Sequence, residues 1–263
     1  FNQTSINDVL NGTVGVQVER IETDRSYYTA RGFDITNFQY DGIPTLRNSA
    51  YSSGQTLSDM AIYDRVEILK GTTGLMTGAG DPSATVNLVR KKPTKDFKAS
   101  ISATAGSWDN YRTEVDLSGP LTETGNVRGR AVAAYQDRQS YIDRYSNQSS
   151  VFYGILEVDL TPDTLLTVGA DYQDNKPQGS TWSGSFPLYN YAGEINSAKR
   201  SFSNATDWSS WQQYTRTVFA TLEQDLGGGW VGKLQLDHKL NGYDAQLGAI
   251  QFNQPAMDGT ATI

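Results

Sequence analysis

The alternation of apolar and polar side chains is clearest in the stretch Trp230-Val231-Gly232-Lys233-Leu234-Gln235-Leu236-Asp237-His238-Lys239-Leu240-Asn241. In an extended strand, successive side chains point to opposite faces of the sheet. One face then carries Trp230, Leu234, Leu236 and Leu240, and the other carries Lys233, Gln235, Asp237 and Lys239. A dry core rarely accepts such charges, whereas a wall between lipid and a polar interior requires this arrangement. The stretch therefore predicts a strand of a membrane β-barrel.

The same alternation returns along the chain from about residue 97 onwards, in segments joined by connections that are alternately compact and long. The clearest segments are residues 111–117, 152–160 and 166–173. The compact connections are residues 119–126, 161–163 and 227–229, and the long ones are residues 139–148 and 175–212. Outer-membrane barrels combine short periplasmic turns with long external loops. We therefore predict an all-β transmembrane barrel of antiparallel strands, with its long connections outside the cell.

Aromatic residues stand near the ends of the predicted strands. The outer ends carry Tyr111, Tyr135, Phe152, Tyr172, Tyr214 and Tyr243, and the inner end of the last strand carries Trp230. Aromatic girdles are typical of these barrels because the ring is apolar while its hydroxyl or indole N–H stays hydrated. The general preference of aromatic residues for strands is the alternative explanation.

Composition and motifs argue against several functions. The 263 residues include 29 acidic and 22 basic ones, and the net charge of −7 argues against a nucleic-acid partner. The chain has no cysteine for a disulfide or thiolate metal site, and its one histidine, His238, falls on the predicted lipid face. The glycine-rich residues 70–80 lack the Gly-Lys-Ser/Thr ending of a P-loop. We therefore predict no catalytic residues, no metal site and no enzyme.

The part of the chain that precedes the predicted barrel has a different pattern. Helices are predicted at residues 4–11 and 56–62, and short strands at residues 14–21 and 66–69. Such a mixture is typical of a small α/β domain. The chain is therefore divided into a mixed α/β domain at residues 1–95 and the first part of the barrel at residues 96–263.

Several motifs resemble the plug domain of TonB-dependent outer-membrane siderophore receptors. One is Tyr63-Asp64-Arg65-Val66-Glu67-Ile68-Leu69-Lys70-Gly71, followed by Gly74, Gly78, Gly80 and Asn87-Leu88-Val89-Arg90-Lys91-Lys92-Pro93. Two earlier ones are Arg31-Gly32-Phe33 and Tyr40-Asp41-Gly42-Ile43-Pro44. Within the family, residues 37–44, 57–80, 106–136 and 208–220 look most like the ferripyoverdine receptors of pseudomonads.

The resemblance implies a plug inside a barrel of about 22 strands, of which about seven would lie in this chain. The other strands would follow Ile263, and a TonB box would precede Phe1. Whether a signalling domain also precedes Phe1 is left open by the sequence. It implies an outer-membrane location and import of an Fe(III)-siderophore, with no resident cofactor. Expected partners are the ferric siderophore, TonB with ExbB and ExbD, and outer-membrane lipid or lipopolysaccharide. The sequence leaves open whether bacteriocins or phage also bind the outer loops.

The resemblance also implies a siderophore site between the plug apex and the outer loops. Its residues, matched by their surroundings, would be Arg25, Tyr27, Tyr28, Tyr51, Trp182, Trp208 and Trp211. Aromatic rings would stack on the flat chromophore of a pyoverdine, and the arginine would hydrogen-bond its anionic chelate. Membrane anchoring or loop packing is the alternative role of the tryptophans.

Ion pairs between the plug and the barrel are expected to control gating. Arg31, Arg65 and Arg90 of the plug would pair with the inward carboxylates Glu114, Asp116 and Glu157 of the barrel. Such pairs resist water only where they are partly buried. Their rupture would loosen the plug without abolishing ligand binding at the surface.

One position departs from the ferripyoverdine receptors, because Gln254 stands before Pro255 where they have a tryptophan. Another pyoverdine, or a hydroxamate siderophore such as ferrichrome or ferrioxamine, is therefore an alternative ligand. A passive porin is an alternative class, although it does not explain the plug-like first domain. A soluble β-rich carbohydrate-binding protein would explain the alternation and the surface aromatics.

Overall fold

The computed structural model of the chain describes residues 3–46, 58–71, 82–182, 189, 192–195 and 197–248. The predicted positions Tyr51 and Gln254, the start of the helix predicted at 56–62, and most of the glycine-rich run lie outside these residues. The described chain forms an N-terminal domain with small sheets and a large sheet of seven long strands. No helix among the described residues combines the length and apolarity needed to cross a membrane.

The N-terminal domain contains α1 (Ile6–Asn11), a 3₁₀ turn (Met60–Ile62) and seven strands within its described ranges. The strands are β1 (Val16–Arg20), β2 (Ser26–Ala30), β3 (Phe33–Asp34), β4 (Asn37–Tyr40), β5 (Ile43–Leu46), β6 (Tyr63–Lys70) and β7 (Ala84–Arg90). Two sheets result, in the orders β1-β2-β3 and β5-β4-β7-β6, and the β4–β7 pair is parallel. The mixed α/β character predicted for this domain agrees with these elements.

The helix α1 begins at Ile6 because Ser5 caps it. The Ser5 hydroxyl accepts from the backbone N–H of Asp8, and the Asp8 carboxylate accepts from the backbone N–H of Ser5. This reciprocal capping box satisfies two backbone donors that a helix start leaves unpaired. Ile6 and Leu10 then point into the domain core, where each is at most 1% exposed.

The large sheet consists of seven antiparallel strands in chain order, as predicted. They are β8 (Lys98–Gly106), β9 (Asn110–Pro120), β10 (Val127–Gln139), β11 (Ser146–Thr161), β12 (Thr164–Gln178), β13 (Ser210–Gly227) and β14 (Trp230–Gln246). The three compact turns lie at one end of the sheet. At the other end the strands β12 and β13 are joined by the long stretch 179–209, whereas the β10–β11 connection is shorter than predicted, at residues 140–145.

The two faces of the large sheet differ as the alternation predicts. Side chains on one face are exposed, among them Trp230 at 76% and Leu236 at 64%. On the opposite face of the middle strands, many side chains are covered, and charged ones such as Arg112 and Asp171 are only 7% and 6% exposed. Strand β8 is exposed on both faces. An apolar exposed face and a charged covered face are the arrangement expected of a barrel wall.

The covered face is less polar than the sequence predicts. An apolar patch on it, formed by Val132, Ala134, Val151, Tyr153, Ile155 and Phe219, belongs to the same buried cluster as the core of the N-terminal domain. The rings of Tyr153 and Phe219 stack with centroids 6.5 Å apart. Because each large side chain buried in this way contributes roughly 1.5–3 kcal/mol, the patch is a major part of the adhesion between the two domains.

Candidate functional site at the apex of the N-terminal domain

The loop between β1 and β2 reaches the long outer connection of the large sheet. The backbone N–H of Thr23 donates to Oγ1 of Thr181 at 3.2 Å, and the N–H of Thr181 donates back to Oγ1 of Thr23 at 3.0 Å. Beside this pair, the Tyr145 hydroxyl donates to the Asp24 carboxylate at 2.7 Å. Thr23 and Asp24 thereby fix this short loop to two separate outer connections, through Thr181 and Tyr145.

This loop places Arg25 against two indole rings. The guanidinium carbon lies 4.4 Å from the centroid of the Trp182 ring and 5.7 Å from that of Trp211. The two indoles are 5.4 Å apart in an edge-to-face arrangement. A cation at these distances from aromatic faces is attracted by their quadrupoles. The structure thus brings together three of the residues that the sequence predicts for the ligand site.

The Arg25 side chain is oriented by Glu22, which the sequence did not single out. Two guanidinium nitrogens of Arg25, Nε and one terminal nitrogen, donate to the two carboxylate oxygens of Glu22. The Glu22 side chain is 3% exposed and that of Arg25 is 11% exposed. A bidentate pair of this kind fixes the plane of the guanidinium group. The spacing i, i+3 within one loop is a signal that could have identified Glu22.

The indole of Trp211 carries an unused hydrogen-bond donor. Trp211 is the second residue of β13 and is only 4% exposed. Its Nε1 has no hydrogen-bond partner among the described residues. Buried indole N–H groups usually find an acceptor, so this donor is available to a water molecule or a ligand.

The other predicted ligand residues are not all at this cluster. Tyr28 is 1% exposed in the domain core, where its hydroxyl donates to Asn7, so the structure does not bring it to the Arg25 cluster and its ligand contact stays a prediction. The reason is the alternation of strand β2, which cannot turn both Tyr27 and Tyr28 to the same face. Tyr27 is half-buried, and Trp208 is 57% exposed, close to the backbone at Gly248.

Burial raises the pKa of Asp24 above its usual range, although hydrogen bonds from Thr23 and Tyr145 oppose the shift. A carboxyl whose pKa is higher in the folded protein favours folding below its unfolded pKa and opposes it at pH values where both states are ionised. We therefore expect Asp24→Asn to stabilise the docked loop at neutral pH.

The Asp24→Asn gain should disappear near about pH 3, where the carboxyl is protonated in both states. Hydrogen exchange at the amides of the β1–β2 loop in the full-length protein, recorded at pH 7 and pH 3, measures the difference. Asp34→Asn, at an exposed position on β3, is the matched control. An equal effect of Asp24→Asn at both pH values would contradict the expectation.

A second charged cluster joins the N-terminal domain to the large sheet around Arg90. This side chain is 2% exposed, and one terminal nitrogen lies 2.7 Å from Asp41 of its own domain. The other terminal nitrogen lies 3.2 Å from Asp237, and Nε lies 3.9 Å from Asp171, both on the large sheet. The guanidinium carbon is also 4.3 Å from the centre of the Phe219 ring. Arg90 therefore bridges the two domains, as predicted, but through different carboxylates.

The remaining predicted ion pairs differ from the expectation. Arg65 pairs with Asp64 and Glu67 beside it on β6, at 3.2 and 2.8 Å, and its side chain is 57% exposed. Arg31 lies exposed in a turn with φ 58° and forms no ion pair with a described residue. The two partners of Arg65 are thus one and two positions away on its own strand, and no described residue of the large sheet forms an ion pair with it.

The carboxylates predicted to receive these arginines have other partners. Glu157 lies 3.5 Å from Arg128 of the neighbouring strand. Glu114 and Asp116 contact Lys91 of the N-terminal domain, at 3.9 and 2.8 Å. The carboxylate pattern on β9 therefore does meet a basic residue of the other domain, but the residue is the one that follows Arg90.

A third link between the domains was not predicted at all. Both terminal nitrogens of Arg112 on β9 donate to the Asp59 carboxylate, at 2.8 and 2.7 Å. The Asp59 carboxylate also accepts at 2.8 Å from the N–H of Ala61, and this bond caps the 3₁₀ turn.

Among the described residues, no cluster of three histidine, aspartate or glutamate side chains is arranged to hold a metal ion.

Comparisons with known proteins agree with this architecture. The family described as TonB-dependent Receptor Plug Domain matches residues 1–85. The ferripyoverdine receptor of Pseudomonas aeruginosa is 64% identical over the whole chain, which covers 32% of that receptor. The chain therefore spans about a third of the length of this relative.

Solved structures give the same result. The crystal structure of the outer-membrane ferripyoverdine receptor of Pseudomonas aeruginosa bound to ferripyoverdine has a TM-score of 0.95 at 64% identity. The match covers 99% of this chain and 35% of that one. A structure of the FpvAI–pyocin S2 complex matches with the same identity, coverage and TM-score. With a plug domain followed by the strands of a barrel wall, the chain belongs to the TonB-dependent outer-membrane receptors.

Proposed function

We propose that this chain is part of a receptor that binds a ferric siderophore, ferripyoverdine, at the cell surface and imports it into the periplasm. The observation that carries the proposal is the cluster of Arg25, Trp182 and Trp211 between the plug apex and the outer connections. The identity to a ferripyoverdine receptor supports the choice of ligand. The protein acts as a receptor and transporter rather than as an enzyme.

The chemistry of the cluster suits a ferric chelate. Arg25 offers a guanidinium group to an anionic, oxygen-rich surface, and the indoles of Trp182 and Trp211 offer faces and edges to a flat chromophore. The Nε1 of Trp211, which has no partner among the residues that the structure describes, adds a directed donor. Because the siderophore itself satisfies the iron, the protein supplies no metal ligand, and Fe(III) is cargo.

Transport requires the plug to move relative to the wall. The ion pairs of Arg90, Lys91 and Arg112 hold the plug to strands β9, β12 and β14. We propose that TonB, energised with ExbB and ExbD, pulls on a segment outside this chain and breaks these links. The breakage opens a path along the wall while the ligand is released from the apex.

The proposal is tested by titrating the detergent-solubilised full-length receptor with ferripyoverdine, ferrichrome and ferrioxamine B while tryptophan fluorescence is recorded. Trp182→Ala and Trp211→Ala are each expected to weaken ferripyoverdine binding roughly tenfold, since each removes one stacking surface. Trp108→Ala is the matched control, because Trp108 lies in the outer β8–β9 turn, where it is 58% exposed.

The three chelates separate the alternatives. Saturable quenching by ferripyoverdine, weakened in both variants but not in the control, supports the proposal. Saturation by a hydroxamate chelate instead would retain the receptor and replace the ligand. Failure of all three chelates to bind would remove the siderophore assignment. Addition of pyocin S2 to the same preparation tests whether a bacteriocin also uses the outer surface.

A further inference from the structure

Gln173 on strand β12 lies between two of the ion pairs that tether the plug to the wall. It is 3% exposed, on the covered face of the strand. Its Oε1 accepts from the backbone N–H of Asp59 at 2.9 Å, and Asp59 is the plug partner of Arg112. Its Nε2 donates to the Asp171 carboxylate at 3.4 Å, and Asp171 is a wall partner of Arg90. One side-chain amide therefore contacts an acidic residue of each tether.

The orientation of this amide follows from the chemistry of its neighbours. A backbone N–H can only donate, and an ionised carboxylate can only accept. The Gln173 oxygen therefore faces Asp59, and the nitrogen faces Asp171. Because the amide group is planar and rigid, a movement that brings the nitrogen closer to Asp171 carries the oxygen away from Asp59. The two contacts compete for the position of one side chain.

The distances show which contact prevails while Arg90 is in place. The bond from Asp59 to Gln173 has an ordinary length of 2.9 Å, whereas the bond from Gln173 to Asp171 is long, at 3.4 Å. The Asp171 carboxylate receives Gln173 at Oδ1, and its Oδ2 lies 3.9 Å from Nε of Arg90. The guanidinium group thus offsets the charge that would otherwise draw the amide nitrogen, and the amide stays with Asp59.

The plug ends of the two tethers are held at a fixed spacing by backbone hydrogen bonds. Asp59 caps the start of the 3₁₀ turn, and the turn ends at Ile62. The Ile62 carbonyl accepts at 2.9 Å from the N–H of Lys91, which directly follows Arg90. The adjustable group between the tethers is therefore the Gln173 side chain on the wall.

We propose that Gln173 is a positioning residue through which release of Arg90 loosens the tether between Asp59 and Arg112. When Arg90 leaves, the bare Asp171 carboxylate draws the amide nitrogen, because a hydrogen bond to an ionised acceptor is stronger than one between neutral groups. The amide oxygen then withdraws from the Asp59 N–H, which loses its partner on the wall. The use of this coupling during import rests on the function proposed above, whereas the coupling itself needs no ligand.

Residue-resolved hydrogen exchange of the detergent-solubilised full-length receptor, without a siderophore, tests the coupling. The readout is the ratio of the exchange rates at the adjacent amides of Asp59 and Met60. The Asp59 N–H donates to Gln173, whereas the Met60 N–H donates to the Thr4 carbonyl at 3.0 Å within the plug. Opening of the whole segment exposes both amides together, so a change in the ratio isolates the contact with Gln173.

Arg90→Met should raise the ratio of the Asp59 rate to the Met60 rate roughly tenfold, because the Asp59 N–H loses one hydrogen bond. The same substitution in an Asp171→Asn background should leave the ratio unchanged, since no bare carboxylate then draws the amide. Gln173→Met should raise the ratio by itself, and Arg90→Met should add nothing to that rise.

Gln136→Met is the matched control, because Gln136 is a buried amide of the wall that donates to Asn110 on the neighbouring strand. In this background Arg90→Met should still raise the ratio. Where Arg90→Met does not give a folded receptor, Arg90→Lys replaces it and should raise the ratio by a smaller factor, since lysine keeps the charge without the planar fork.

An unchanged ratio in the Arg90 variant would overturn the proposal, because the two amides would then open only together. An equal rise with aspartate and with asparagine at position 171 would also overturn it, because the charge of Asp171 would then have no part in the effect. Ferripyoverdine does not enter the measurement, so failure of the proposed ligand would leave this result standing.

Discussion

Replacing Arg90 with methionine is expected to lower the free energy of opening of the plug strands β4 and β7 by about 3–5 kcal/mol. Methionine keeps an apolar, unbranched side chain but removes the guanidinium group that lies over the Phe219 ring and between Asp41, Asp171 and Asp237. The three carboxylates would then lie close together without the guanidinium group that contacts all of them. The cost is therefore that of leaving buried charges unpaired, which exceeds the cost of losing one surface contact.

Hydrogen exchange at the amides of β4 and β7 in the full-length receptor measures this opening directly. A single melting temperature would not, because plug and barrel need not unfold together. Arg90→Lys keeps the charge but loses the planar fork, so its effect should be intermediate. Arg65→Met is the control, since Arg65 is exposed and pairs only with neighbours on its own strand. Unchanged protection of both strands in Arg90→Met would remove Arg90 from the set of plug tethers.

The strands of the wall could be predicted from the sequence because apolar and polar residues alternate along each of them, in step with the two faces of the sheet. On β14 this alternation separates Leu234 and Leu236 from Lys233 and Asp237, and the structure places the two sets on opposite faces. The turns were equally readable, since β13 ends and β14 begins around Gly228. Such information is local, so one chain segment suffices to reveal it.

The partners of the buried charges could not be predicted in the same way. Asp171 and Asp237 reach Arg90 because β12, β13 and β14 pair in a particular register and the plug docks at a particular depth. Neither the strand register nor the docking depth of the plug can be deduced from any single segment of the sequence. The prediction that Arg90 contacts the wall could follow from its charge and the motif around it, whereas the identity of its partners depends on the packing of two domains.

The candidate ligand site shows the same division. Arg25, Trp182 and Trp211 were predicted from a resemblance, and the structure brings them together although Trp182 lies 157 positions along the chain from Arg25. Tyr28 was predicted with them because it stands beside Tyr27 in sequence. Its burial follows from the alternation of β2, which was available in the sequence but was outweighed by the neighbouring motif.

The ion pair between Asp59 and Arg112 should carry a coupling free energy of about 1.5–3 kcal/mol in a double-mutant cycle of Asp59→Asn and Arg112→Gln. The pair is bidentate, at 2.7 and 2.8 Å, and the Asp59 and Arg112 side chains are 12% and 7% exposed. Each single variant leaves its partner poorly solvated, whereas the double variant leaves neither charge. The double variant should therefore cost less than the sum of the two single ones.

Hydrogen exchange at the amides that follow Asp59, in the 3₁₀ turn and in β6, reports the opening of the plug at this link. The pair of Arg128 and Asp159 provides the matched control cycle, because it is a close pair within the wall and does not touch the plug. Its variants should leave plug protection unchanged. Additive effects in the Asp59–Arg112 cycle would mean that the pair is formed without holding the plug.

The same variants separate tethering from ligand capture. Asp59 and Arg112 lie away from the Arg25 cluster, so Asp59→Asn should leave the affinity for ferripyoverdine unchanged. Under the proposed function, uptake of radioactive iron by cells should become faster, because the proposed pull of TonB on the plug has one tether fewer to break. A variant that binds normally and transports at the unaltered rate would show that this link is not broken during import.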